Sequence, residues 1–459
     1  MKVGAALPER EAGDKVQVKL LDSRVGPKKS NDWGSVRSFA APIPPQTGTY
    51  NPKELLATNL PTAVADKLRK GGYEVKPSAA SSLTRITLPP GLDAWTAQRQ
   101  LEAEHQQGFA LSIFYHPYSY ALDSEPPISG AVPVRGSIGC DTARCYGRGL
   151  IAWEKDLGAC AGGVTIGIID TGYDESHPAF KNLNPKPTVI MQPPGGKASN
   201  WHGTSVISLL AGHAESSTPG LVPNARFLIA DAFFPTSDTN PKPQTDTAHL
   251  VEALRRLEER GAQIINMSLV GPSDDLVHQQ IVAMSKRGIV FIAAAGNGGP
   301  SAPPAYPAAY SDEVIAVTAV NDRRQGYDYA NRGSYIDVAA PGVRIWTALP
   351  DNKEGMVTGT SFAAPFVTAV AAVTYKKLNA ERLRLNPKRL MLTAFLIDQI
   401  GKGERNDRFG LGLVKAPPRS TCTPQMQPVA AVVIAPVHVV PSPAEAAPWQ
   451  AEVERTTFR

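Results

Sequence analysis

The stretch VTIGIID, residues 164–170, is apolar at nearly every position and ends on an aspartate. A strand with one wet face alternates apolar and polar residues, so a run without alternation predicts a strand covered on both faces. The pattern recurs in RFLIADAF (226–233), AQIINMSL (262–269), GIVFIAAAGN (288–297), VIAVTAV (314–320) and YIDVAAPG (335–342). Helical patterns lie between them, and TAHLVEALRRLEERG and DLVHQQIVAMSKRG each close on a glycine. Alternating β and α units predict an α/β fold over residues 148–415, a parallel sheet with helices on both faces.

Sites in such sheets lie at the carboxyl ends of the strands. Asp170 ends VTIGIID, and Asn297 ends GIVFIAAAGN. His202 stands at the head of HGTSVISLLAG, a predicted helix start, and Ser361 sits in GTSFAAP just before a second one. Ser361 alone reads equally well as a helix cap. The four residues together point to chemistry. A serine hydroxyl becomes a good nucleophile when an imidazole takes its proton, and a carboxylate fixes the tautomer of that imidazole. The Asn297 amide and the backbone N–H at Ser361 would then hold the oxyanion formed at a carbonyl.

Five blocks, GIIDTGYDESHP, HGTSV, NMSLVGP, AAAGNGGP and GTSFAAPFVTAV, resemble in order those of the subtilisin-like serine endopeptidases, peptidase family S8. DTG alone would also suit an aspartic protease, but no second copy is present. The sedolisins share the GTS-type serine motif but carry glutamate and aspartate where this chain has His202 and Asn297. The resemblance implies a catalytic Asp170, His202 and Ser361, with Asn297 and Ser361 in the oxyanion hole. It also implies a substrate cleft walled by Ser268, Leu269, Val270, Gly271, Ala294, Ala295, Gly296 and Ala305. Val270 stands where relatives often have glycine, and the loop after Asn297 is short and uncharged. Together these predict a narrow apolar pocket for small or medium uncharged side chains.

Residues 51–122 predict a small α+β domain: strands in KELLAT, SLTRITLPP and FALSIFYH, and helices in PTAVADKLRKGG and GLDAWTAQRQLEAEHQQG. It resembles the ferredoxin-like propeptide of the same family, which inhibits by laying its C-terminal tail in the cleft. HPYSYAL, residues 116–122, would be that tail. The expected product is a self-processing serine endopeptidase, a zymogen whose partners are protein or peptide substrates and its own propeptide. Two competing expectations remain: a catalytically silent peptide-binding protein of the same fold, and an N-terminal domain that is never removed.

The margins differ in composition. Residues 1–50 predict an irregular arm, 123–147 a linker with the processing region, and 416–459 a disordered Pro/Ala-rich tail. That tail is too short for a barrel anchor. A net charge of +5 from 47 Lys and Arg against 42 Asp and Glu comes without a dense basic block, which argues against nucleic acid. The most apolar tail segment, VAAVVIAPVHVV at 429–440, falls short of the roughly 18 residues a membrane span needs. The start, MKVGAALPEREAG, shows no signal-peptide pattern. A built-in inhibitor nevertheless points to a secreted or periplasmic enzyme, with an intracellular one as the alternative, and a monomer is expected.

Cys140, Cys145, Cys160 and Cys422 lack zinc-ligand spacing and predict one or two disulfides. Relatives often have an Asn-rich calcium loop after the His helix. GHAESSTPG (212–220) lacks it, so no cofactor is expected and at most weak calcium binding elsewhere. His177, His213, His249 and His278 are expected to be structural, as are Asp174 and Glu175. Trp201 is expected to pack on His202 or border the cleft, and Asn266 to be a satisfied buried amide or a support behind the site.

Overall fold

The computed structural model describes residues 50–77, 83–104, 110–115, 119–120, 132–133, 144–193, 198–235, 243–400 and 405–421. A nine-stranded sheet organises them. Its order is Leu396–Asp398, Leu413–Lys415, Val338–Pro341, Val314–Val320, Val290–Ala294, Ile264–Met267, Thr165–Asp170, Arg226–Asp231 and Thr188–Met191. All neighbours are parallel except the edge pair Leu396–Asp398 with Leu413–Lys415, so the sheet is mixed where a purely parallel one is expected. That edge strand follows the helix Pro387–Ala394 and runs antiparallel to its neighbour.

The uninterrupted apolar runs have the predicted cause. Ile166, Ile168, Phe227, Ile229 and Val317 point into one core layer with the helices Trp201–Ala211 and Thr360–Tyr375. Ile169, Leu228, Ala230, Ile265 and Phe291 point the other way, under the helices Thr247–Glu259 and Asp275–Ser285. Consecutive residues of a strand face opposite sides, so a strand buried twice needs apolar residues at every position.

The N-terminal residues form a four-stranded antiparallel sheet in the order Glu74–Pro77, Thr84–Thr87, Tyr50–Thr58, Ala110–Tyr115, with helices Thr62–Lys70 and Ala94–Glu104. This is the ferredoxin-like βαββαβ arrangement. Leu55, Ala57 and Ile86 pack on its own helices, with Ala97 and Leu101. Leu56 and Leu83 join the core layer of the helices Thr247–Glu259 and Asp275–Ser285 instead. The small sheet is therefore covered on both faces. Glu74–Pro77 is a strand that its short, charged sequence hides.

One further difference from expectation involves the linker. Val132–Pro133, expected to be linker, pairs with Lys353–Glu354 in a three-stranded sheet that includes Ile345–Leu349. Cys145 is disulfide-bonded and Cys160 carries a thiol, whereas Cys140 and Cys422 lie outside the described residues, as do the arm 1–49 and the tail beyond Thr421. Among the described residues no helix is long and apolar enough to cross a membrane.

The loop after the His202 helix is tied down by a side chain. Arg148 donates to the carbonyls of Pro219 at 2.8 Å and Gly220 at 2.7 Å. Burial pushes its pKa down to about 10, so it stays charged at neutral pH. Arg148→Ala leaves two carbonyls without that donor and is expected to cost about 1.5–3 kcal/mol, read as a lower urea midpoint with an unchanged slope.

Candidate active site

Asp170 is the last residue of its strand, and its side chain is fully buried. His202 occupies the first turn of the helix Trp201–Ala211, and its Nδ1 lies 2.8 Å and 3.0 Å from the two Asp170 oxygens. A carboxylate only accepts, so Nδ1–H donates and Nε2 is the nitrogen left to take a proton. Thr171 holds the pair together: its N–H donates to Asp170 Oδ1 at 2.8 Å, and its hydroxyl accepts the Gly203 N–H at 3.0 Å. Trp201 meets the imidazole edge-on with ring centroids 5.4 Å apart, and Phe362 flanks it at 5.5 Å. The Phe362 contact brings His202 against the residue that follows Ser361.

Ser361 lies in the first turn of Thr360–Tyr375, fully buried, but it is not the cap. The N-cap is Gly359, without a side-chain capping bond, and the Ser361 hydroxyl donates to the Ser268 carbonyl at 3.3 Å. The Ser361 backbone is held from behind by a chain of side chains. Thr368 donates to Asn266 Oδ1 at 2.9 Å, Asn266 Nδ2 to Ser268 Oγ at 3.0 Å, and Ser268 Oγ to the Ser361 carbonyl at 2.8 Å. Asn266 is thus both a satisfied buried amide and a support.

Asn297 is oriented by its oxygen. Oδ1 accepts from the Thr360 N–H and the Thr360 hydroxyl, both at 3.0 Å. Its Nδ2 is buried and has no hydrogen-bond partner. A buried donor without an acceptor costs about 1–3 kcal/mol, so an amide fixed this way is set for an acceptor that arrives later. Gly296 makes the turn possible: its φ is +107°, and a Cβ would lie 2.7 Å from Asn331 Nδ2.

The remaining candidates lie on adjoining segments. Ser268, Leu269, Val270 and Gly271 are consecutive, and Leu269–Val270 forms a strand. That strand pairs antiparallel with Ser119–Tyr120 of the N-terminal region, Leu269 opposite Tyr120 and Val270 opposite Ser119. Gly271 exchanges two hydrogen bonds with Tyr306 at 2.8 Å and 3.1 Å, which brings Ala305 alongside. Ala294 and Ala295 are fully buried at the strand end before Gly296. The other histidines stand apart. His177 Nε2 meets the Lys353 carbonyl at 2.9 Å, and burial pushes its pKa down. His278 stacks on Tyr310 with centroids 4.1 Å apart, and Glu215 N–H donates to His213. Asp174 accepts from Ser176 and Asp351, as a loop residue does.

Thr171, Thr360 and Thr368 are the site residues that sequence reasoning missed. Two of them adjoin Asp170 and Ser361, and that adjacency was the available signal. Gly203 sets the tightest constraint, because a Cβ there would lie 2.2 Å and 2.3 Å from the Thr171 and Gly172 carbonyls. Gly203→Ala is therefore expected to push the helix off Asp170 and to cost about 1–3 kcal/mol. Equilibrium denaturation measures this, and an unchanged midpoint contradicts the contact.

Comparison with known proteins agrees with this geometry. The family described as "Subtilase family" matches residues 161–412. The major intracellular serine protease of Bacillus subtilis (strain 168) is 34% identical over 232 residues, 48% of this chain and 70% of that protein. Subtilisin DY of Bacillus licheniformis is 32% identical over 249 residues, 52% of this chain and 88% of that protein. Among solved structures, fervidolysin from Fervidobacterium pennivorans, a keratinolytic enzyme related to subtilisin, shares the fold with a TM-score of 0.64 at 21% identity. That match covers 83% of this chain and 62% of that one. With the buried Asp170–His202 pair at the sheet's carboxyl edge and the family match over more than half its length, the chain belongs to the subtilase family of serine endopeptidases.

Proposed function

We propose that the chain hydrolyses peptide bonds through Ser361, His202 and Asp170, and that it cuts itself free of its own N-terminal domain. The observation that carries this is the buried Asp170–His202 hydrogen bond, placed beside the helix turn that holds Ser361. Ser361 Oγ attacks the carbonyl carbon while its proton passes to His202 Nε2, and Asp170 stabilises the imidazolium through Nδ1–H. The carbonyl oxygen, now charged, takes hydrogen bonds from Asn297 Nδ2 and the Ser361 N–H. The C–N bond breaks, His202 protonates the leaving amine, and water, deprotonated by His202, releases the acyl group from Ser361. Asn297→Ala is expected to lower kcat about 100- to 1000-fold, a loss established for one such donor in subtilisin.

The N-terminal domain acts as propeptide and inhibitor. Its segment Ser119–Tyr120 already lies along Leu269–Val270 as an added strand, which is how an extended peptide gains main-chain hydrogen bonds. The pairing is antiparallel, so the chain advances toward Ser268, whose carbonyl accepts the Ser361 hydroxyl. The Ala121–Leu122 bond, one residue beyond the paired Ser119–Tyr120 segment, is the proposed cleavage point. An alanine there agrees with a narrow apolar pocket bordered by Val270 and the buried Ala294 and Ala295. A cleavage profile dominated by Lys or Arg overturns that pocket.

A calcium ion is not part of this proposal. The loop carbonyls of Pro219 and Gly220 are taken by Arg148. A chelator is expected to leave the melting temperature unchanged. A monomer active after export is proposed from the built-in inhibitor, although one relative is by its name intracellular. The deciding test is the intact mass of wild type and Ser361→Ala, with and without a serine-directed phosphonate. Wild type is expected to lose a fragment ending at Ala121 and to take up the probe, while the variant does neither. Both proteins remaining full-length and unlabelled overturns the proposal.

A further inference from the structure

A polar pair interrupts the apolar layer beneath the helix that bears Ser361. Ile168 and Ile292 stand on either side of Asn266 in the strand register and face that layer. Ala364, Ala371 and Ala372, one turn either way from Thr368 along its helix, belong to the layer too. Asn266 and Thr368 are both fully buried there. An amide in such a place is unfavourable unless its oxygen and its nitrogen both find partners. The neighbouring strands meet the same need of the fold with isoleucine.

Thr368 also departs from the usual behaviour of a helix threonine. A hydroxyl inside a helix can be satisfied by the carbonyl one turn back, and Thr374 on the same helix does this, donating to the Val370 carbonyl at 2.7 Å. Thr368 donates across to Asn266 Oδ1 at 2.9 Å. An amide oxygen only accepts, so this bond turns the other end of the amide, Nδ2, toward Ser268 Oγ at 3.0 Å. Ser268 Oγ accepts there and keeps its own proton for the Ser361 carbonyl at 2.8 Å. The Ser268 carbonyl accepts the Ser361 hydroxyl at 3.3 Å. Ser268 therefore holds Ser361 at both its backbone and its side chain, and the direction of the relay behind it is set at Thr368.

We infer that Thr368 is a positioning residue for the reaction, acting through Asn266 and Ser268 on the backbone of Ser361. A small displacement of an attacking atom slows reaction steeply, so the turn that carries Ser361 Oγ needs a donor that stays in place. Without the Thr368 hydroxyl, Asn266 Oδ1 has no donor and the amide loses the contact that decides which end faces Ser268. The Ser268 hydroxyl can then give its proton to the amide, and the Ser361 carbonyl is left without it. This rests on Ser361 being the nucleophile, as proposed above.

The test uses the self-processed enzyme with a quenched peptide and a serine-directed phosphonate. Thr368→Val stays close in shape and removes the hydroxyl. It is expected to lower kcat and the rate of reaction with the phosphonate about tenfold each, with KM changed by less than about twofold. Thr368→Ser, which restores the donor, is expected to recover most of the loss. Ser268→Ala removes the last donor of the relay and is expected to lower kcat by about as much. Adding Thr368→Val to Ser268→Ala is expected to change kcat by less than about twofold, because the two residues act as one unit. An unchanged kcat in Thr368→Val, a loss that Thr368→Ser does not recover, or losses that multiply in the double variant overturn the inference. If Thr368→Val does not fold, an unchanged kcat in Ser268→Ala overturns it, and a tenfold loss there with near wild-type kcat in Thr368→Ser supports it. A wild type that neither cleaves peptide nor takes up the phosphonate contradicts the proposed function instead.

Discussion

The hydrogen bond between Asp170 and His202 is the constraint around which the site is built. Both side chains are fully buried, and a carboxylate is placed there only if every lone pair and donor nearby is accounted for. Thr171 does part of that work with its N–H and hydroxyl. The rest falls to the sheet. Asp170 must end a central strand, and the helix carrying His202 must approach so closely that Gly203 can bear no side chain. The two apolar layers of the core hold that approach, with Trp201 and Phe362 closing over the imidazole.

A second set of contacts fixes the electrophile's side of the site. Thr360 takes up the oxygen of Asn297 and so turns the amide nitrogen outward, still buried and unpartnered. The chain from Thr368 through Asn266 and Ser268 to the Ser361 carbonyl then anchors the turn that bears the nucleophile. Neither set moves protons. Each reduces the reorganisation needed when charge develops on a bound carbonyl oxygen.

Much of this was legible in the sequence because its causes are periodic or local. Runs such as VTIGIID and VIAVTAV had no polar alternation, and the sheet is indeed buried on both faces. Asp170, His202, Asn297 and Ser361 were visible because each sits where a strand ends or a helix starts. What escaped depended on contacts far apart in the chain. Thr368 looks like any helix threonine until Asn266 is found beneath it. The hairpin Ile345–Leu349 with Lys353–Val357 and its pairing with Val132–Pro133 follow from long-range closure, not from pattern.

The most direct test of the central claim is a crystal structure of the enzyme after reaction with a serine-directed phosphonate. The account predicts a phosphorus atom bonded to Ser361 Oγ, with one phosphoryl oxygen about 2.7–3.1 Å from both Asn297 Nδ2 and the Ser361 N–H. His202 should lie beside the adduct with its bond to Asp170 intact. An adduct on another residue, or a phosphoryl oxygen directed away from Asn297, would contradict it.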